Sequence, residues 1–166
     1  MRRERTALLI GAAGFLLGLA AALHYHAAGL TLSHYDARAH LVVARRVIDS
    51  LTPGWQQVGA VWLPLPHLLN LLPVKVDAWY RTGASAVALS VLSTGVTSWA
   101  LASLVLRCTG STSGAIAAAA LLALNPNALY LQSTPMTEPL LFAGTSLGLI
   151  AIRIGLTEWK SEYRWK

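Results

Sequence analysis

Asp36, in Ser33-His34-Tyr35-Asp36-Ala37-Arg38-Ala39-His40, and Glu138, in Thr134-Pro135-Met136-Thr137-Glu138-Pro139, are the carboxylates whose setting points to chemistry. Each adjoins a long apolar stretch, and an acid at a membrane boundary is costly unless it is solvated, paired or used. Asp36 suits a general base that takes a proton from an acceptor hydroxyl or amine, with His40 one helical turn on to orient it. Its plainer role is that of an N-cap or first-turn carboxylate favoured by the helix dipole, and Glu138 suits the same role at the head of its own apolar stretch. The run from Asn125 to Pro135 carries two prolines, amides and hydroxyls at membrane depth. Irregular backbone there is tolerated only against protein or a wet cavity, which implies a polar pocket beside Glu138.

Arg45 and Arg46 could clamp a lipid phosphate, although adjacent arginines on an interfacial helix also simply meet headgroups. His24, His26, His34, His40 and His67 gather near one face without the spacing of a standard zinc site. The metal question therefore reduces to a loosely held divalent ion with Asp36 or Glu138. His40 and His67 join Arg45 and Arg46 as candidate substrate-binding residues.

The chain that must position these groups is 55% hydrophobic and 12% charged, which places it among membrane proteins. Its formal charge of +6 flanks the apolar runs instead of forming a stripe, which argues for lipid headgroups and against nucleic acid. Cys108 is the only cysteine, so the chain builds no disulfide framework by itself. The expected fold is all-α and polytopic, with about four spans at residues 6–28, 83–106, 114–131 and 139–156. The first run is too long for a signal peptide core and reads as a retained span. Gly11, Gly14 and Gly18 lie near one face of it, and the alanines of the third span make that helix thin, so close helix approach is expected.

Arginines before the first span, Arg107, and Lys160, Arg164 and Lys166 after the fourth make those ends cytoplasmic by the positive-inside tendency, although Arg38, Arg45, Arg46, Lys75 and Arg81 oppose it. Parity puts Asp36 and Glu138 in one compartment in either orientation. The loop 29–82 holds Trp55, Trp62 and Trp79, so it is expected to fold against the membrane. Within it, Val43, Val47 and Leu51, with Leu41, Ala44 and Ile48 alongside, mark the apolar face of an interfacial helix over 36–51, stopped by Thr52-Pro53-Gly54. The Pro-broken stretch 58–72 reads as a second interfacial or partly re-entrant element.

Several ordered strings together resemble bacterial membrane glycosyltransferases of the GT-C type, closest to aminoarabinose transferases and the protein O-mannosyltransferase-like group. They are Tyr35-Asp36-Ala37 with His40-Leu41 and Ala44-Arg45-Arg46-Val47, Asp49-Ser50-Leu51-Thr52-Pro53-Gly54, Trp62-Leu63-Pro64-Leu65-Pro66-His67, and Asn125-Pro126-Asn127 through to Glu138-Pro139. The resemblance implies a multi-pass enzyme of the bacterial inner membrane. Such an enzyme moves a sugar from a polyprenyl-phosphate donor to a lipid, glycan or protein acceptor on the periplasmic face. It makes Asp36 the catalytic base and Glu138 a second acid that supports the site or a metal. Two departures stand beside it: Asp36 is flanked by Tyr35 and Ala37 where some relatives pair two acids, and family members carry many more spans. The expectation is therefore an amino-terminal portion, whose activity needs the remainder. The rival expectation is a small non-catalytic membrane protein that packs with partner subunits through its glycine and alanine faces. A transporter fragment would want its acids near the bilayer midplane, where neither Asp36 nor Glu138 is expected.

Overall fold

The computed structural model describes residues 2–59 and 61–163, with side chains described as far as residue 157. Arg164 and Lys166, and the side chain of Lys160, lie outside the described residues. The described chain is helical throughout, in the order α1 (Arg2–Ala27), α2 (Tyr35–Arg46), α3 (Pro64–Asn70), α4 (Asp77–Thr82), α5 (Ala84–Thr109), α6 (Thr112–Ala123), α7 (Pro126–Gln132) and α8 (Glu138–Tyr163). Single 3-10 turns at Trp55–Gln57 and Pro73–Lys75 interrupt the segment between α2 and α4.

Three helices, α1, α5 and α8, are long and apolar enough to cross a membrane. The 26 residues of α1 rise about 39 Å at 1.5 Å each, more than a hydrocarbon core of about 30 Å requires. The stretch expected as a third straight span is instead a pair, α6 and α7, bent by 64°. The break follows from Asn125-Pro126: proline cannot donate to the preceding turn, and Asn125 Oδ1 restarts the helix by accepting from the amides of Asn127 at 2.9 Å and Ala128 at 3.3 Å.

At the centre of the bundle, α5 packs on α1, α6 and α8. Three of its hydroxyls are satisfied within the helix, as a lipid setting favours: Ser93, Thr94 and Thr97 each donate to the carbonyl four residues back, at 2.8, 3.0 and 2.7 Å. The buried face of α1 is Ala7, Gly11, Gly14, Gly18 and Ala22, while Leu8, Leu9, Leu16 and Leu23 point outward. The small residues let the backbones of α1 and α5 meet, as expected. A Cβ on Gly11 would sit 2.6 Å from Trp99 Cβ and 3.2 Å from Gly95 O, and one on Gly95 would sit 2.9 Å from Phe15 Cβ. Gly11→Val is therefore expected to cost about 1–3 kcal/mol in overpacking, read as a fall in thermal midpoint in detergent micelles. Gly144→Val on α8, where nothing lies within 4 Å, is the comparison, and equal shifts for the two would refute the crossing.

The segment between α1 and α5 forms a cap on one end of the bundle. Its core is Leu41, Ala44 and Val74 with Ala86 of α5, flanked by Leu32 and Tyr80. The expected interfacial helix is present as α2 but stops at Arg46, where Ser50 Oγ donates to the Arg46 carbonyl at 2.9 Å and Val47 O accepts from the Gly54 amide. Its inward face agrees with the expectation at Leu41, Ala44 and Val47 and departs from it at Ile48 and Leu51, which are exposed. Ala37, His40, Leu41 and Ala44 are buried, whereas Leu51 is fully exposed. Small side chains bring α2 close to α3 and the Pro73–Lys75 turn, and the larger valines of α2 are left to the surroundings.

Gly83 joins the cap to α5. Its φ of 73° is left-handed, and a Cβ there would also lie 2.7 Å from Pro135 Cγ and 3.0 Å from Leu32. The same contact shows where the bent pair ends: Pro135 reaches the end of the bundle that carries the cap. Ser33 Oγ lies 3.4 Å from Tyr130 OH, and the Tyr25 and Tyr130 rings meet at 5.8 Å, at the same end.

Candidate functional site

Asp36 lies in the first turn of α2, and the N-cap is His34, whose Nδ1 accepts from the Asp36 amide at 3.1 Å. The Asp36 carboxylate is thus relieved of the capping role and is half-buried. One turn on, His40 is only 6% exposed. Its Nδ1 is 3.1 Å from Nε2 of His67, and His67 Nδ1 is 3.1 Å from Leu63 O. The proton positions follow from this chain. A carbonyl only accepts, so neutral His67 carries its proton on Nδ1; its Nε2 then accepts from His40 Nδ1, and His40 Nε2 keeps a free lone pair. The Trp62 ring packs against His40 at a tilt of 56°, with ring centroids 4.5 Å apart.

Burial is the main reason the pKa of His40 falls to about 4; the neighbouring His67, and more weakly His34, push the same way, against Asp36. His67 is also lowered, chiefly by burial, with its bond to Leu63 opposing. Both imidazoles are therefore neutral near pH 7.

Glu138 opens α8, and its Oε2 is buried without a hydrogen-bond partner among the described residues. The run before it is held against protein and not around a large wet cavity. Gln132, Ser133, Thr134 and Pro135 are all less than 2% exposed. Gln132 Nε2 donates to Gly18 O of α1 at 3.0 Å and to Ser133 Oγ at 2.8 Å, and Ser90 Oγ of α5 donates to Met136 O at 3.3 Å. The expected polar pocket is correspondingly small. A crevice of about 20 Å³ is lined by His40 and His67 from the cap and by Pro135, Met136 and Thr137 from the run before Glu138. That suffices for about one water. Neither Asp36 nor Glu138 lines it, and no hydrogen bond or ion pair joins the two among the described residues.

The two arginines separate. Arg45 donates from Nε to Asp49 at 3.0 Å and from Nη1 to Asp77 at 2.6 Å and to Val74 O at 2.8 Å, and its guanidinium lies 4.9 Å from the Tyr80 ring centre. Asp77 is held below the usual carboxylate range by this bond to Arg45. Arg45 thus ties α2 to the turn before α4, while Arg46 is exposed. Arg45→Met is expected to speed amide exchange several-fold across 73–82 and leave the spans unchanged; unaltered exchange would sink this role. Among the described residues no three or more His, Cys, Asp or Glu side chains converge as a metal site would need.

Sequence reasoning named His40 and His67 separately but missed their pairing, the packing of Trp62 against them, and Asp77 as the partner of Arg45. Gln132 was legible as an amide at membrane depth, but not as the group that grips α1. No protein-family model, curated protein or solved structure matches the chain.

Proposed function

We propose that the chain forms the amino-terminal membrane region of a GT-C-type glycosyltransferase that moves a sugar from a polyprenyl-phosphate donor to an acceptor. The observation that carries this reading is the meeting, at one end of the bundle, of the α2–α3 cap that bears Asp36 and the run that leads into Glu138, around one crevice. The resemblance in the Asp36 and Glu138 strings supports the same assignment. On this reading α1, α5, the bent α6–α7 pair and α8 make four crossings of a bacterial inner membrane, and the capped end faces the periplasm.

In the proposed transfer, an acceptor hydroxyl or amine attacks the anomeric carbon and its proton passes to Asp36. The bond from that carbon to the phosphate oxygen breaks, and the electron pair leaves with the polyprenyl phosphate. The leaving group is already a stable anion, so the protein supplies chiefly a base, positioning and cationic stabilisation. Arg46, exposed one residue past the committed Arg45, is the freer cation for the lipid phosphate. The test is sugar transfer by the Asp36→Asn variant of the full-length protein in membrane vesicles: unchanged transfer with normal insertion overturns the assignment.

A second reading, a non-catalytic protein that packs with partner subunits, is favoured by α8. Only 17% of its apolar window is buried against 50% for α5, and Gly144 and Gly148, one turn apart, meet nothing within 4 Å. Further spans of the same enzyme would cover that face equally well. Co-purification of a stoichiometric partner, without donor-dependent transfer, would favour the second reading.

A further inference from the structure

The end of the bundle away from Asp36 carries a recess of about 440 Å³ between the first turn of α1 and the last turns of α5, lined by Arg2, Arg3, Glu4, Ser103, Leu106 and Arg107. Its volume falls in the range of small-ligand pockets, about 300–1,000 Å³. Three guanidinium groups face one carboxylate. Little of that charge is neutralised internally. Glu4 Oε1 is 3.9 Å from Arg107 Nη2, Arg3 Nη1 donates to Leu106 O at a long 3.4 Å, and all four charged residues are exposed.

A separate apolar groove lies further along the same helix. Arg2 and Thr6 are one turn apart on α1, and Thr6, Leu9, Ala13 and Leu17 continue that face into a groove of about 470 Å³ against Ile116 and Ala120 of α6. A cationic head site with an apolar groove one turn further along the same helix matches one class of occupant in both charge and shape. We propose that this recess and groove bind an anionic glycerophospholipid, its phosphate among Arg2, Arg3 and Arg107 and one acyl chain along the α1–α6 slot. The site is independent of the transfer reading, because it uses none of the residues assigned there.

The experiment is native mass spectrometry of the full-length protein from a neutral detergent, after exchange with equimolar phosphatidylglycerol and phosphatidylcholine. Orientation in a membrane does not enter this measurement, so arginine variants can be compared directly. Retention of phosphatidylglycerol over phosphatidylcholine is expected, with about a five-fold loss for each of Arg2→Gln, Arg3→Gln and Arg107→Gln, as about 1 kcal/mol per cation implies. Ala120→Leu, which fills the slot and leaves the charges in place, is expected to weaken retention of both lipids. Equal retention of the two lipids by the unaltered protein would overturn the proposal. So would a preference that survives loss of all three arginines, or displacement of the lipid by millimolar inorganic phosphate, which would mark a free-anion site.

Discussion

Under the proposed transfer, Asp36→Asn in the full-length protein is expected to lower activity by about 10²–10⁴-fold, the usual contribution of a positioned general base. The substitution keeps shape and hydrogen-bonding capacity but removes the basic lone pair. It also leaves the helix start intact, because the α2 cap is the His34 ring and not the Asp36 carboxylate. A purely structural Asp36 would therefore lose little on becoming Asn, a few tenths of a kcal/mol for a first-turn charge. That separation makes the variant informative. Asp36→Glu should recover part of the rate, while Asp36→Ala and Asp36→Asn should fall together. A rise in KM alone, with kcat preserved, would assign Asp36 to binding and defeat its role as base.

Acidification is expected to loosen the cap before it affects the spans. In the folded cap His40 has a pKa of about 4, below the ordinary 6.5, so the folded state disfavours the proton that the opened state takes up. The stability held by neutral His40 is complete above pH 6.5, falls as pH drops from there toward 4, and is gone below. At about 1.4 kcal/mol per pKa unit, the full loss is about 3 kcal/mol. His40 is 6% exposed, so solvent screening gives little relief. The lowered His67 adds to the effect with the same sign, and Asp36, which favours the charged form of His40, subtracts from it. Hydrogen exchange over 35–82 between pH 7.5 and 4.5 is the measurement. Protection should fall with pH in the native protein and much less steeply in His40→Gln, and parallel slopes in the two would show that His40 is not the group responsible.

The sequence determined by itself the helices whose length and apolarity match a bilayer. α1, α5 and α8 each carry an uninterrupted apolar run, and in lipid such a run has no satisfied alternative to helix. Pro135 likewise marked the break before α8, whereas the bend at Pro126 fell inside a stretch that reads as one span. The closeness of α1 to α5 was written in Gly11, Gly14 and Gly18, because only small residues leave room for it.

What only the tertiary structure decided is which face of each element meets protein. In water an apolar face must find a core, so hydrophobic periodicity reveals it; beside lipid, an apolar face is equally satisfied by acyl chains. The apolar pattern of α2 therefore held at Leu41, Ala44 and Val47 but misled at Ile48 and Leu51, and it passed over Ala37 and His40, which are buried. The same ambiguity hid the candidate site. His40 finds His67 across 27 positions, Arg45 finds Asp77 across 32, and Gln132 finds Gly18 across 114. Each partner is polar, and near a membrane a polar group's stability rests on that one partner, which chain folding supplies and local sequence does not.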